Sequence, residues 1–352
     1  MMEIKQLLQL TVDRNASDLH LIVGLPPTLR VEGVLYPVQN ESPITAEEIE
    51  KNLRQVMAAE QAERFFVNKE LDFSLSFSEK ARFRVNAYFQ RGTPAASFRR
   101  LPLIIPDIDS LGLPSICHNF ATLRQGFVLV TGPTGHGKST TLAAILNEIN
   151  KERAEHIVTI EDPIEFIFKP EKSIITQREM TLDTHSWGIS LRSVLREDPN
   201  VVLVGEMRDL ETISSALTIA ETGHLVFATL HTNSAAQTID RIVDVFPREQ
   251  QEQIKLQLSS VLEGVFSQRL LPGIDGRRVL AYEVMLGTPA IQTVVREGKT
   301  HQIDSIIQTS GEVGMISLET TLAKLVKEGK ITLEIAQSYS LHSEDLTRLI
   351  KA

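Results

Sequence analysis

With 352 residues, 42% of them hydrophobic and 23% charged, the chain has the make-up of a folded polypeptide of two or three domains that needs no covalent staples. A formal net charge of −9 speaks against a broad nucleic-acid surface, and the single cysteine, Cys117, excludes an intramolecular disulfide and a multi-cysteine zinc site. No run approaches the roughly twenty apolar residues of a membrane span, and no apolar leader accompanies Glu3 and Lys5. The expectation is a cytoplasmic protein without direct membrane insertion, with Cys117 as a small apolar filler.

The chain opens on a helix over 3–14, with Ile4, Leu7, Leu8 and Val12 on one face. Ala16-Ser17-Asp18-Leu19-His20-Leu21 leads into a strand that ends near Gly24, and Thr28 to Val38 reads as a hairpin turning at Glu32-Gly33. A second helix is predicted over 47–66. Strict alternation follows, with Leu71, Phe73, Leu75 and Phe77 on one face of a strand and Phe83, Val85, Ala87 and Phe89 on one face of the next. A third strand, 95–99, follows the turn at Gly92-Thr93-Pro94. Residues 1–100 are therefore a small α+β domain around an antiparallel sheet, whose polar faces carry Arg82, Arg84 and Arg99. Pro102, Pro106, Gly112 and Pro114 mark 101–115 as a linker.

From residue 116 to 352 a second domain repeats strand and helix, which predicts an α/β fold with a parallel sheet and helices on both faces. The expected strands are 127–131, 157–160, 201–204 and 225–230, and past about 285 the pattern is mostly helical. Leu318, Leu322, Leu325 and Val326 form one apolar stripe, and 343–352 reads as a short helix.

Gly132-Pro133-Thr134-Gly135-His136-Gly137-Lys138-Ser139 follows the first of these strands and precedes a helical pattern of Leu142, Ile145, Leu146 and Ile149. This is the G-x-x-x-x-G-K-S spacing of a phosphate-binding loop. Its glycines let backbone N–H groups turn onto phosphate oxygens. Lys138 reaches the β- and γ-phosphates, Ser139 ligates Mg²⁺, and Thr140 opens the helix behind them. ATP and Mg²⁺ are thus the expected cofactors.

Each expected strand delivers chemistry to its C-terminal end, the edge where ligands bind in an open parallel sheet. The second delivers Glu161-Asp162-Pro163-Ile164-Glu165, the third Gly205-Glu206, and the fourth His231, with His224 before it. Hydrolysis needs a group that orients the water or accepts its proton, and Mg²⁺ needs hard oxygen ligands. Glu206 and Glu165 are the candidates for these tasks, with the division between them open. His224 and His231 are candidates for sensing the γ-phosphate. Metal binding through the two histidines lacks a third ligand.

These stretches together resemble the PilT-type pilus retraction ATPases of the secretion-ATPase superfamily. Ala16 to Leu21 resembles the family's N-terminal signature, Gly132 to Ser139 its Walker A, Thr159 to Phe166 its Asp box, Val201 to Asp209 its Walker B, and Thr222 to Thr232 its His box. The resemblance covers nearly the whole chain. It implies a PAS-like N-terminal domain and a RecA-like ATPase domain in a homo-hexamer at the cytoplasmic side of a bacterial inner membrane. There the motor would turn a platform protein and drive pilin out of the fibre, with a second retraction ATPase as a possible companion. It also implies that Arg84 and Arg99 lie opposite the nucleotide across the interdomain cleft. Arg82 is read instead as a solvated cation. Arg192, Arg196 and Arg208 have Glu197, Asp198 and Asp209 nearby as structural partners.

Two departures stand out. The family's A-I-R-N-L-I-R-E motif is here Ala290-Ile291-Gln292-Thr293-Val294-Val295-Arg296-Glu297, which keeps the apolar spacing and replaces an Arg and an Asn. His136 stands in the loop where a small residue is common, and ATP binding is expected to persist. The alternatives are an accessory retraction or pilus-extension paralogue, a RecA-like nucleic-acid motor, and a non-hydrolysing ATP-dependent scaffold. The acidic charge and the Asp and His boxes count against the nucleic-acid motor, and Glu165 and Glu206 against the scaffold.

Overall fold

The computed structural model describes residues 2–78 and 81–351. Its chain falls into two units, Met1–Ile104 with Asp162–Ile167, and Ile105–Glu161 with Phe168–Ala352. In the first, helix α1 (Ile4–Asp13) buries Ile4, Leu7 and Leu8. Strands β1 (Asp18–Ile22), β2 (Thr28–Val31) and β3 (Val34–Pro37) follow. The hairpin between β2 and β3 turns at Glu32 and Gly33, both at positive φ (49° and 85°), the geometry that a two-residue connection favours. Helices α2 (Ala46–Val56) and α3 (Ala59–Asn68) lead to β4 (Glu70–Ser78), β5 (Ala81–Gln90) and β6 (Thr93–Leu101). The strands form one sheet in the order β3-β2-β1-β6-β5-β4 with every pairing antiparallel. Phe73, Phe83, Val85 and Phe98 from the sheet meet Ile49, Leu53 and Phe65 from the helices in its core.

Two expectations fail here. The helix predicted over 47–66 is two helices, because Met57 is extended (φ −94°, ψ 143°) and the Ala58 N–H donates to Gln61 Oε1 at 2.9 Å, which starts a new helix. Arg82 is not a solvated cation. It is 7% exposed, and its guanidinium donates to Ile164 O at 3.0 Å and Ser74 Oγ at 2.5 Å.

In the second unit, α4 (Ile116–Thr122) precedes β7 (Gly126–Thr131), α5 (Lys138–Glu152), β8 (His156–Glu161), β9 (Ile174–Glu179), α6 (Trp187–Val194) and β10 (Val201–Val204). Next come α7 (Leu210–Glu221), β11 (Leu225–Leu230), α8 (Ala235–Asp244), α9 (Arg248–Val261), β12 (Leu262–Pro272) and β13 (Arg278–Leu286). The sheet runs β13-β12-β7-β11-β10-β8-β9, with all pairs parallel except β12–β13. The strands carrying the motifs, β7, β10 and β11, are buried along their whole length, which is why they read as continuous apolar runs.

Three strands lie outside the four expected. Edge strand β9 carries Thr176-Gln177-Arg178-Glu179 and shows no apolar period, while β12 follows α9 with no breaker between them. The chain ends in α10 (Pro289–Arg296), α11 (Ile303–Thr309), α12 (Leu318–Lys327), α13 (Leu333–Tyr339) and α14 (Ser343–Lys351). The Leu318-Leu322-Leu325 stripe packs with Leu346 of α14 against Leu271 of β12 and Ala281 of β13, so the last helix closes a small core. No helix among the described residues is long and apolar enough to cross a membrane.

Candidate active site

The phosphate loop leaves β7 at the centre of the sheet. Thr131, the last residue of β7, is in register with Leu230 of β11 and Ser267 of β12. Gly132 follows, and a Cβ there would lie 2.2 Å from the Gln268 carbonyl oxygen, so only glycine lets the loop pass β12 this closely. Helix α5 starts at Lys138 with Gly137 as its N-cap, which aims the N–H groups of its first turn at the loop. Lys138 is 8% exposed. Its Nζ donates to Gly132 O at 2.8 Å and to Pro133 O at 3.1 Å, and lies 3.3 Å from His231 Nδ1.

His231, just past β11, joins three elements. Its Nδ1 is 3.2 Å from Thr134 Oγ1 as well as 3.3 Å from Lys138 Nζ, and its Nε2 is 3.0 Å from Glu206 Oε1. With Nε2 donating to the carboxylate, the single lone pair of Nδ1 accepts from either the hydroxyl or the ammonium. Glu206 follows β10, where the Thr229 hydroxyl donates to Gly205 O at 2.5 Å and fixes the turn. Arg208 closes on it as a fork, Nε to Oε1 at 2.7 Å and Nη2 to Oε2 at 2.8 Å. Burial pushes the Glu206 carboxyl up, but the Arg208 hydrogen bonds and the positive charges around it, those of Arg208 and Lys138 among them, outweigh it and hold the group below its usual value.

The loop is also held from β12 and β13. The His136 carbonyl accepts from Gln268 Nε2 at 2.7 Å, its Nδ1 accepts from the Leu270 N–H at 2.9 Å, and Gly135 O accepts from Arg278 at 3.3 Å. Ser139 is exposed in the first turn of α5, and Thr140 beside it is half-buried. Behind the His231 turn, Glu283 of β13 accepts from the Ala235 N–H at the start of α8, at 2.7 Å. Arg269 of β12 donates to the carbonyls of Asn233 and Tyr339.

Other expected residues fall elsewhere. His224 precedes β11, at the end of the sheet away from the loop, and its Nδ1 is 3.0 Å from both Ile219 O and Thr222 Oγ1. Glu161 accepts from Thr159 Oγ1 at 2.7 Å. Glu165, Arg84 and Arg99 belong to the first unit. Arg84 lies between Asp72, at 3.3 Å, and Glu165, at 3.8 Å. Arg99 pairs with Asp18 at 2.9 Å while its side chain stays 71% exposed. The arginine partners predicted in the second unit differ as well. Arg192 pairs with Glu211, Arg178 takes Glu197, and Arg208 takes Glu206 because Asp209 is occupied in capping α7. No ion pair involves Arg196 among the described residues. Gln268, Arg278 and Glu283 escaped the sequence reading, because they lie on β12 and β13, two of the three strands outside those expected.

A family model described as type II/IV secretion system protein matches residues 2–277. The chain belongs to that family. It is an ATPase, and its likeness to individual members runs nearly end to end. It is 48% identical over 336 residues to the Pseudomonas aeruginosa type IV pilus retraction ATPase PilT, covering 96% of this chain and 97% of that one. It is 47% identical over 322 residues to a Neisseria gonorrhoeae twitching motility protein, covering 91% and 86%. The crystal structure of the pilus retraction motor PilT with bound ADP superposes with a TM-score of 0.92 at 46% identity, covering 99% of this chain and 100% of that one. These family members confirm the mixed α/β fold with a parallel sheet and the use of nucleotide.

Proposed function

We propose that this ATPase powers type IV pilus retraction and twitching motility as a homo-hexamer at the cytoplasmic side of the inner membrane, working on a platform protein there. One observation carries the catalytic half of this reading. A single histidine touches the loop lysine, the loop threonine and the carboxylate after β10 (3.3, 3.2 and 3.0 Å). A γ-phosphate seated in the loop would compete for Lys138 and His231 together, so its arrival and loss would be felt at Glu206. Glu206 would orient or deprotonate the attacking water, with Arg208 as the group it must release.

The donors present suit Mg²⁺. Ser139 is an exposed hydroxyl in the first turn of α5, and Glu206 is a carboxylate one histidine away from the loop. Among the described residues no group of three His, Cys, Asp or Glu could hold a metal, and a Mg²⁺ site that fills its sphere with phosphate oxygens and water needs none. Ser139 and Glu206 would hold the ion, which would neutralise phosphate charge. The pilus half of the reading is supported by the full-length likeness to the retraction motor. Glu206→Gln should keep nucleotide binding and lower ATP turnover by about 10²–10⁴-fold, because an amide accepts no proton. Turnover near the wild-type rate would remove Glu206 from the chemistry. Deletion in the host should abolish twitching with surface pili retained or increased, whereas bald cells would point to extension.

A further inference from the structure

Strand β12 overshoots its neighbour β7. Their parallel ladder ends at Ser267 opposite Thr131, while β12 runs on to Pro272. On the β7 side, the overshooting residues have the phosphate loop beside them in place of a strand. Three contacts bridge the gap. The Gln268 carbonyl packs against Gly132, the Gln268 side chain donates to His136 O at 2.7 Å, and His136 Nδ1 accepts the Leu270 N–H at 2.9 Å. The imidazole thus replaces the carbonyl that a longer β7 would have offered.

We propose that His136 is a positioning residue that latches the phosphate loop onto β12, and that the latch opens when its ring takes up a proton. Protonated Nδ1 carries a hydrogen and accepts nothing, so it would face the Leu270 N–H donor to donor. The charged groups acting on the ring are Lys138 at the start of α5, Arg269 on β12 and Arg278 on β13, all cations. Burial pushes His136 below its ordinary 6.5, and those three charges push it further. The sign follows directly. The neutral ring is the latched form, so the latch is complete above the ordinary histidine range and is lost as pH falls through the depressed value.

A small residue at 136 would have no such latch, so acid sensitivity of ATP affinity would be a property of this chain's own loop. The inference rests on the loop being the nucleotide site, and the experiment separates the two. Steady-state KM and kcat for Mg-ATP are measured from pH 5.5 to 8 in the wild type, His136→Ala and His136→Asn. Binding of a fluorescent ADP analogue is measured in these and in Lys138→Ala.

His136→Ala should raise KM about fivefold at pH 7.5, the worth of one hydrogen bond, with a smaller change in kcat. His136→Asn offers a side-chain oxygen to the Leu270 N–H and cannot titrate, so it should recover most of that loss. It should also lack the rise in KM that the wild type shows below pH 6.5. ATP titrates alike for both proteins, so the difference between their profiles isolates the ring. Parallel acid limbs in the wild type and His136→Asn, or an unchanged KM in His136→Ala, would overturn the latch while loss of binding in Lys138→Ala upholds the site. Undiminished binding in Lys138→Ala would overturn the site and the latch with it.

Discussion

Glu283 offers the sharpest physical test of the fold around the site. It is 5% exposed on β13, and burial pushes its carboxyl from 4.5 up to about 7, with Asp304 and Glu319 adding to the rise and the Ala235 N–H and Arg269 opposing it. In the unfolded chain the same group titrates near 4.5. Below 4.5 both states hold the proton. As pH rises from there to about 7 the unfolded state releases it and the native state does not, so stability falls, and above about 7 the loss is complete. A shift of this size is worth ~3 kcal/mol at 1.36 kcal/mol per pH unit, an upper figure because the native state can relax.

Glu283→Gln keeps an acceptor for Ala235 and removes the charge. The variant should therefore gain on the wild type as pH rises, with a Tm advantage at pH 8 that shrinks towards pH 5. For a unit of this size ~3 kcal/mol corresponds to roughly 6–12 °C, less whatever the amide's two unmatched donors cost. Calorimetry of the full chain at pH 5, 6, 7 and 8 reads this directly. A Tm difference that is the same at all four values would refute the reasoning, since a purely structural cost or gain carries no proton.

Two further predictions concern surface groups. Arg84→Ala and Arg99→Ala are each expected to lower ATP turnover by about 10²-fold or more with nucleotide binding kept, because guanidinium forks suit phosphate oxygens. Turnover within twofold of wild type in both variants, with oligomers intact by light scattering, removes them from catalysis. Gln292→Arg with Thr293→Asn should change twitching-zone diameter and leave ATPase activity within twofold, and equal zones in both strains would strip the altered motif of functional meaning.

What the sequence disclosed depends on how local each signal is. The phosphate loop, the β10–Glu206 run and the β11–His231 run are contiguous stretches on fully buried parallel strands, so apolar runs ending in polar residues located them. Which groups they meet is a matter of tertiary geometry. Arg208 has Asp209 beside it in sequence, yet Asp209 turns to cap α7 and the arginine folds back onto Glu206, two residues away. His224 and His231 sit in one motif but at opposite ends of a six-residue strand, about 20 Å apart in an extended chain, so only His231 reaches the loop. The break at Met57 was illegible because no Gly or Pro marks it, only the Gln61 side chain that restarts the helix. Strands β12 and β13 lie between the last expected strand and the helical pattern past 285, where β12 follows α9 with no breaker to mark it, and the polar residues that brace the loop went unseen with them.

The same distinction between local pattern and tertiary role applies to α10. Its Ile291, Val294 and Val295 are buried in the main core of the second unit, and these are the positions at which the apolar spacing of the family motif survives. Gln292 and Thr293, where the motif departs, are only half-buried, and Thr293 uses its hydroxyl on the Pro289 carbonyl of its own helix at 2.8 Å. Among the described residues no hydrogen bond or ion pair ties either side chain to another element. An Arg and an Asn there would present a charge and an amide to the outside, and their replacement alters what the helix offers a partner without altering the helix. Conservation of the buried triad is therefore evidence about folding alone. Evidence about retraction, as opposed to ATP hydrolysis, has to come from positions such as 292 and 293, where fold and chemistry impose nothing.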